Sequence, residues 1–167
     1  MAVKTANLAI VFTDIEGFTQ RTSSQTLEQN QKLLAVHSAI LSPIFKAFGG
    51  RIIKSIGDAF LVVFESPTQA VLSGVAIQDK IWEYNRGAPE AERFSIRVAV
   101  NAGEVRLENN DVFGEAVNIA SRVEGETEAG SVYFTEVVYL VMDKVEVPSV
   151  EVGLFELKGI PDKVRIY

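Results

Sequence analysis

The sequence predicts an α+β fold. Apolar residues alternate with a two-residue period in several short segments, and recur every three or four residues in the stretches between them. The resulting order is strand, helix, strand, strand, helix, strand, with more short elements after it. That is the split βαβ, ferredoxin-like βαββαβ core with additional C-terminal strands and a helix. A chain of 167 residues, 47% hydrophobic, suits one domain over 1–167 with a substantial core.

Each element has a local reason. Leu8, Ile10 and Phe12 alternate with Ala9, Val11 and Thr13, a strand with two apolar faces. Thr22, Ser23 and Ser24 offer N-caps for a long helix in which Leu33, Val36, Ile40, Ile44 and Ala47 keep helical spacing. Pro43 should kink or split that helix, and Gly49-Gly50 should end it. Residues 51–56 and 59–64 read as strands joined by a two-residue hairpin turn at Gly57-Asp58. Ser66 caps the next helix, with Pro67 at its first position and Gln69 completing a capping box.

That helix should run to about Asn85, before a charged loop over 86–93. Ile96, Val98 and Val100 mark another strand, and 103–111 a short strand with a turn at Asn109-Asn110. Ala116, Ile119, Ala120 and Val123 line a helix. Residues 132–134 form a short strand, and Thr135 caps a small helix to about Met142. Strands at 150–157 and 164–167 close the chain. Helices should cover one face of the sheet and leave the other open for a ligand or partner.

Composition excludes several function classes. No run of about 18 apolar residues is present, so this segment has no membrane span. Met1 to Asn7 lack the apolar core of a signal peptide. The absence of cysteine rules out disulfides and thiolate metal sites, and a cytoplasmic location is expected. A net charge of −6 without a Lys/Arg cluster argues against nucleic acid as a partner. No P-loop, nucleophilic triad or zinc pattern occurs. His37, the only histidine, falls in the long helix and is expected to be solvated or partly buried.

The polar residues at strand ends carry the chemistry. Leu8, Ile10, Phe12 and Asp14 share one strand face by the two-residue period. Asp14 reads either as a cap or turn former, or as a ligand. Asp58, in the hairpin turn, has the same two readings. A split βαβ sheet places the first strand beside the hairpin, so its topology can bring the two carboxylates together. Unpaired, they would repel; two Mg²⁺ or Mn²⁺ ions would remove that cost and suit displacement at phosphorus. Lys54, between Ile52 and Ile56 on one strand face, either snorkels or meets a ligand. Arg97 sits on the less apolar face of its strand, where a structural salt bridge is the plainer reading. Asn118 and Arg122 are four apart on one helix face, off the apolar stripe. Lys158-Gly159 alone would be a turn. Glu16 and Glu115 lie near the site in sequence, without an assignable role.

Taken together these residues resemble the class III nucleotidyl cyclases, the catalytic domain of adenylyl and guanylyl cyclases. The resemblance runs from about Leu8 to Tyr167. It rests on the segments Phe12–Thr19, Lys54–Asp58, Arg97–Gly103, Asp111–Arg122 and Leu157–Gly159, in order and with family-like spacing. It implies that Asp14 and Asp58, with the Ile15 carbonyl, bind two Mg²⁺ or Mn²⁺ ions per site. Arg97 and Lys158 would hold the outer phosphates, Asn118 would orient the ribose, and Arg122 would stabilise charge on the α-phosphoryl group.

Lys54 and Asp111 match the base-selecting pair of adenylyl cyclases. Lysine donates and aspartate accepts, which fits adenine N1 and its 6-amino group. ATP is therefore the expected substrate and cyclic AMP the product. The alternatives are a guanylyl or dual-specificity cyclase, or a catalytically silent nucleotide-binding regulatory domain. The resemblance also implies a homodimer with shared sites. Asp14, Asp58 and Arg97 would come from one copy; Lys54, Asp111, Asn118, Arg122 and Lys158 from the other. Only residues 104–110 stand where many relatives carry a longer dimerisation arm, so the dimer is expected to be weak or to use other contacts. The chain is expected to be either a stand-alone enzyme or the catalytic part of a longer protein with a sensor or membrane domain.

Overall fold

In a computed structural model, which describes residues 3–167, β1 (Lys4–Ile15) runs through the middle of a six-stranded sheet. Two helices follow it, α1 (Phe18–Ser24) and α2 (Leu27–Ala47). Next come β2 (Arg51–Ile56), β3 (Ala59–Phe64) and α3 (Pro67–Gly87), then a 3₁₀ turn at Glu90–Glu92. The chain continues as β4 (Ile96–Glu108), β5 (Asp111–Phe113), α4 (Glu115–Glu126) and β6 (Val132–Phe134). It closes with α5 (Glu136–Val141), β7 (Gly153–Phe155) and β8 (Val164–Ile166). The strand order is β2-β3-β1-β4-β5, with β6 parallel to the inner part of β4. Its first four strands, all antiparallel neighbours, are the expected ferredoxin-like core.

Several local expectations are corrected. Thr22, Ser23 and Ser24 do not cap the long helix, because they lie within the separate α1. Thr26 caps α2 instead, in a full capping box with Gln29. Pro43 does not split α2, which is assigned as one helix of 21 residues. Ser66 caps α3 through the Gln69 N–H, but only that half of the box is made. The strand at Ile96 does not stop at Asn101; it continues unbroken to Glu108. The turn falls at Asn109 and Asn110 as expected, both with positive φ. Thr135 occupies the N-cap of α5, but its hydroxyl donates to Asn101 Oδ1 at 2.6 Å rather than capping.

The sheet is covered on both faces. On one, α2, α3 and α5 bury Ala9, Val11, Ile15, Phe60, Val62, Phe64, Val98 and Val100. His37 belongs to this layer and is 2% exposed, against the expectation of a wetter site, with its ring tilted against Phe60 and edge-on to Phe94. The other face is not open. There α4 lays Val117 and Ala120 on Ile10, Leu61 and Val63, and Val123 on Ala99. Two features hold α4 close. Asn101, 3% exposed, donates to the Ala116 carbonyl at 2.9 Å. Gly103 faces Ala116 so tightly that an added Cβ would sit 3.0 Å from the alanine methyl.

A bulge decides where Lys54 points. Ile52 pairs with Val62, but Lys54 pairs with Leu61, so Ile53 is the extra residue. Ile52 therefore packs in the α2/α3 layer, while Lys54 turns to the α4 face with Leu61. The expected sharing of a face between Ile52 and Lys54 is corrected by this one-residue shift.

Candidate active site

The site begins at the end of β1. Asp14 continues the row Ile10–Phe12 on the α4 face, and its direct neighbour on β4 is Arg97. Arg97 Nε and Nη2 donate to the two Asp14 carboxylate oxygens at 2.8 and 2.5 Å. This fork–carboxylate geometry is the strong form of an ion pair. The β2–β3 turn brings in Asp58, whose Oδ2 accepts from the Ile15 N–H at 2.8 Å. The strand-end topology thus places Asp14, Ile15, Asp58 and Arg97 around one shallow depression, which Gly17, Phe18, Thr19 and Gln20 complete.

A third carboxylate, Glu124, reaches the same place from α4. Its Oε1 lies 3.2 Å from Arg97 Nε and is buried without a hydrogen bond. Burial, reinforced by the neighbouring Asp14 carboxylate, pushes the Glu124 carboxyl up to about 8. Burial also raises Asp58, against the opposing pull of backbone N–H donors. Asp14 holds Arg97 firmly in its charged form. Two carboxylates thus pair with one arginine, and Asp58 lies beside them. Glu124 was not picked out from the sequence, although the signal was there. It falls four residues after Ala120 and seven after Val117, on the inward stripe of the helix.

These residues fit hard divalent cations. The fit lies in excess carboxylate charge in a half-buried setting, where burial drives Asp58 and Glu124 towards protonation. Among the described residues no three acidic or imidazole side chains form a ready-made cage. Two carboxylates with a backbone carbonyl would suit Mg²⁺, an ion that takes its remaining ligands from water and phosphates.

Lys54 and Asp111 form a second cluster. β2 and β5 are the outer strands of the sheet path, yet they touch. Lys54 Nζ donates to Asp111 Oδ2 at 2.8 Å, and Asp111 Oδ1 accepts from the Val112 N–H at 2.8 Å. These two bonds, the lysine's first, hold the aspartate below the usual carboxylate range. Both side chains remain partly exposed and can exchange their mutual bond for a ligand.

Asn118, Arg122 and Lys158 are exposed. Arg122 and Glu124 are two apart on α4, so they project to opposite sides of the helix. Glu124 faces the Asp14 cluster; Asn118 and Arg122 face away from it. The sequence-derived residues therefore fall into separate groups within one copy. Asp14, Ile15, Asp58 and Arg97 are together, Lys54 pairs with Asp111, and Asn118 with Arg122 lies on an outer helix face.

Comparison with known proteins gives the family. Residues 1–167 match the family described as the adenylate and guanylate cyclase catalytic domain. A Myxococcus xanthus protein named serine/threonine-protein kinase pkn2 is 42% identical over 165 residues, covering 99% of this chain and 20% of its own length. The chain thus spans about a fifth of that relative. The adenylyl cyclase CyaB from P. aeruginosa superposes with a TM-score of 0.87 at 26% identity, over 100% of this chain and 95% of that one. The guanylyl cyclase Cya2 shares the fold, with a TM-score of 0.86 at 23% identity over 99% of this chain and 92% of that one. With a family match along its whole length, and a paired aspartate site at the strand ends of the same fold, the chain belongs to the adenylate and guanylate cyclase catalytic domain family.

Proposed function

We propose that the chain is an adenylyl cyclase, converting ATP to 3′,5′-cyclic AMP and pyrophosphate at sites shared by two copies. The observation that carries the choice of ATP is the Lys54–Asp111 pair, a donor and an acceptor held side by side at 2.8 Å. In that pose Lys54 donates to adenine N1 and Asp111 accepts from the 6-amino group. Guanine offers a hydrogen on N1 and an acceptor at position 6, and so mismatches both.

Asp14, Asp58 and the Ile15 carbonyl would hold two Mg²⁺ or Mn²⁺ ions. Bound there, the ions would supply Lewis-acid activation of the 3′-hydroxyl and neutralise triphosphate charge. Arg97 and Lys158 bind the outer phosphates, and Asn118 orients the ribose. The 3′-oxygen bonds to the α-phosphorus, and the bond to the β-phosphate oxygen breaks. Pyrophosphate leaves, and the hydroxyl proton passes to solvent. Arg122 stabilises the charge that builds on the α-phosphoryl oxygens, an effect worth roughly 10³-fold in related phosphoryl chemistry.

The direction of α4 supports a shared site. Asn118 and Arg122 project away from the Asp14 cluster of their own copy, which favours a role in the site of a second copy. The test is product analysis. Purified protein at high concentration, given ATP or GTP with Mg²⁺ or Mn²⁺, should yield cyclic AMP in preference to cyclic GMP. Absence of any cyclic nucleotide overturns the reading.

A further inference from the structure

The Asp14–Arg97–Glu124 cluster holds more than the assigned roles require. Arg97 fills both oxygens of the carboxylate proposed to take a cation. A guanidinium and a divalent cation on one aspartate repel each other, so they cannot share Asp14 on equal terms. Arg97 needs somewhere to go. Glu124 Oε1, 3.2 Å from Arg97 Nε, is a buried acceptor without a hydrogen bond. A buried carboxyl oxygen that meets the guanidinium without an aligned hydrogen bond is under-satisfied, and a small rotation of the guanidinium would align one.

We propose that Arg97 is the resident counter-ion of Asp14 in the cation-free protein, and that Glu124 is a positioning residue that receives Arg97 when a divalent cation takes Asp14. This rests on the reading that Asp14 and Asp58 hold the cation. Exchange then keeps the guanidinium at the rim of the site, charged and oriented, instead of releasing it to solvent. The carboxylate that receives it comes from α4, so the β1 strand end and the helix are coupled through one arginine. Asn118 and Arg122 ride on that same helix.

The test measures Mn²⁺ binding without nucleotide, by electron paramagnetic resonance of free Mn²⁺, so it does not depend on turnover. Arg97→Ala should tighten binding about tenfold, the equivalent of losing one competing charge-assisted bond. Glu124→Gln should weaken binding severalfold, because Arg97 then has Asp14 as its remaining anchor. In the Arg97→Ala background, Glu124→Gln should have no effect. Equal weakening in both backgrounds makes Glu124 a direct partner of the cation and overturns the positioning role. Unchanged or weaker binding by Arg97→Ala overturns the counter-ion role.

If the Arg97 variants do not fold, the wild-type chain carries the test. Its Arg97 Nε–H resonance should shift on addition of Mg²⁺, and an unmoved resonance at saturation overturns the exchange. A protein that binds Mn²⁺ as expected yet forms no cyclic nucleotide contradicts the proposed reaction and leaves this exchange standing. Failure of every variant to bind Mn²⁺ removes the premise of both.

Discussion

The backbone N–H of Ile15 donates to Asp58 Oδ2 at 2.8 Å, tying the β2–β3 turn to the end of β1. That bond sets the distance between the Asp58 and Asp14 carboxylates before any ligand arrives. Asp58→Asn keeps an acceptor for Ile15 but removes a charge. Cyclic nucleotide formation should fall about a hundredfold or more, while the thermal midpoint moves little. Loss of both activity and cooperative folding would mean that Asp58 acts only on the scaffold.

Lys54 and Asp111 should set the base. Lys54→Glu removes the donor at N1 and places an acceptor there, so ATP turnover should drop. The double change Lys54→Glu with Asp111→Cys should turn the preference towards GTP. Steady-state kcat/KM for the two nucleotides checks this, with a change of about tenfold per lost or mismatched bond. An unchanged ATP/GTP ratio would remove the pair from base selection.

His37 gives the fold an acid-sensitive point. Burial lowers its pKa to about 4 from the ordinary 6.5. Between those values the unfolded chain binds the extra proton and the folded chain does not. Stability is therefore fully present above pH 6.5 and is lost as the pH falls towards 4, by about 3 kcal/mol in all. Urea unfolding at pH 7 and pH 4.5 should show this loss in the wild type and a smaller one in His37→Leu. Parallel pH profiles for the two chains would rule His37 out as the cause.

Asn101 anchors α4 and α5 to β4. Its amide donates to the Ala116 carbonyl and its oxygen accepts from Thr135. Asn101→Leu removes both bonds and leaves the buried Thr135 hydroxyl unpaired, and should cost about 1–3 kcal/mol in urea unfolding. A cost below about 1 kcal/mol would mean that the helix is held by its apolar face alone.

Much of this was legible because two-residue and helical periods survive in the sequence. Leu8, Ile10, Phe12 and Asp14 do share a face, and the Gly57-Asp58 turn falls where its residue types demand. What was hidden depends on tertiary contact. The bulge at Ile53 has no glycine or proline to mark it, so the face of Lys54 could not be read from alternation. The burial of His37 follows from aromatic neighbours on a distant strand and loop, Phe60 and Phe94. Pro43 is absorbed within α2 because it costs one backbone bond in a helix 21 residues long that packs along the core. Glu124 was passed over because a carboxylate on an inward helical stripe reads as noise until Arg97 is seen opposite it.

The central claim is a cyclase whose sites need two copies. It is tested most directly by mixing Asp14→Ala with Asn118→Ala protein at high concentration and measuring cyclic AMP from ATP. Each variant alone should be nearly silent. The equimolar mixture should recover about a quarter of the wild-type activity, since half the dimers are mixed and each has one intact site. A mixture that stays silent at every ratio, beside an active wild type, would contradict the shared site.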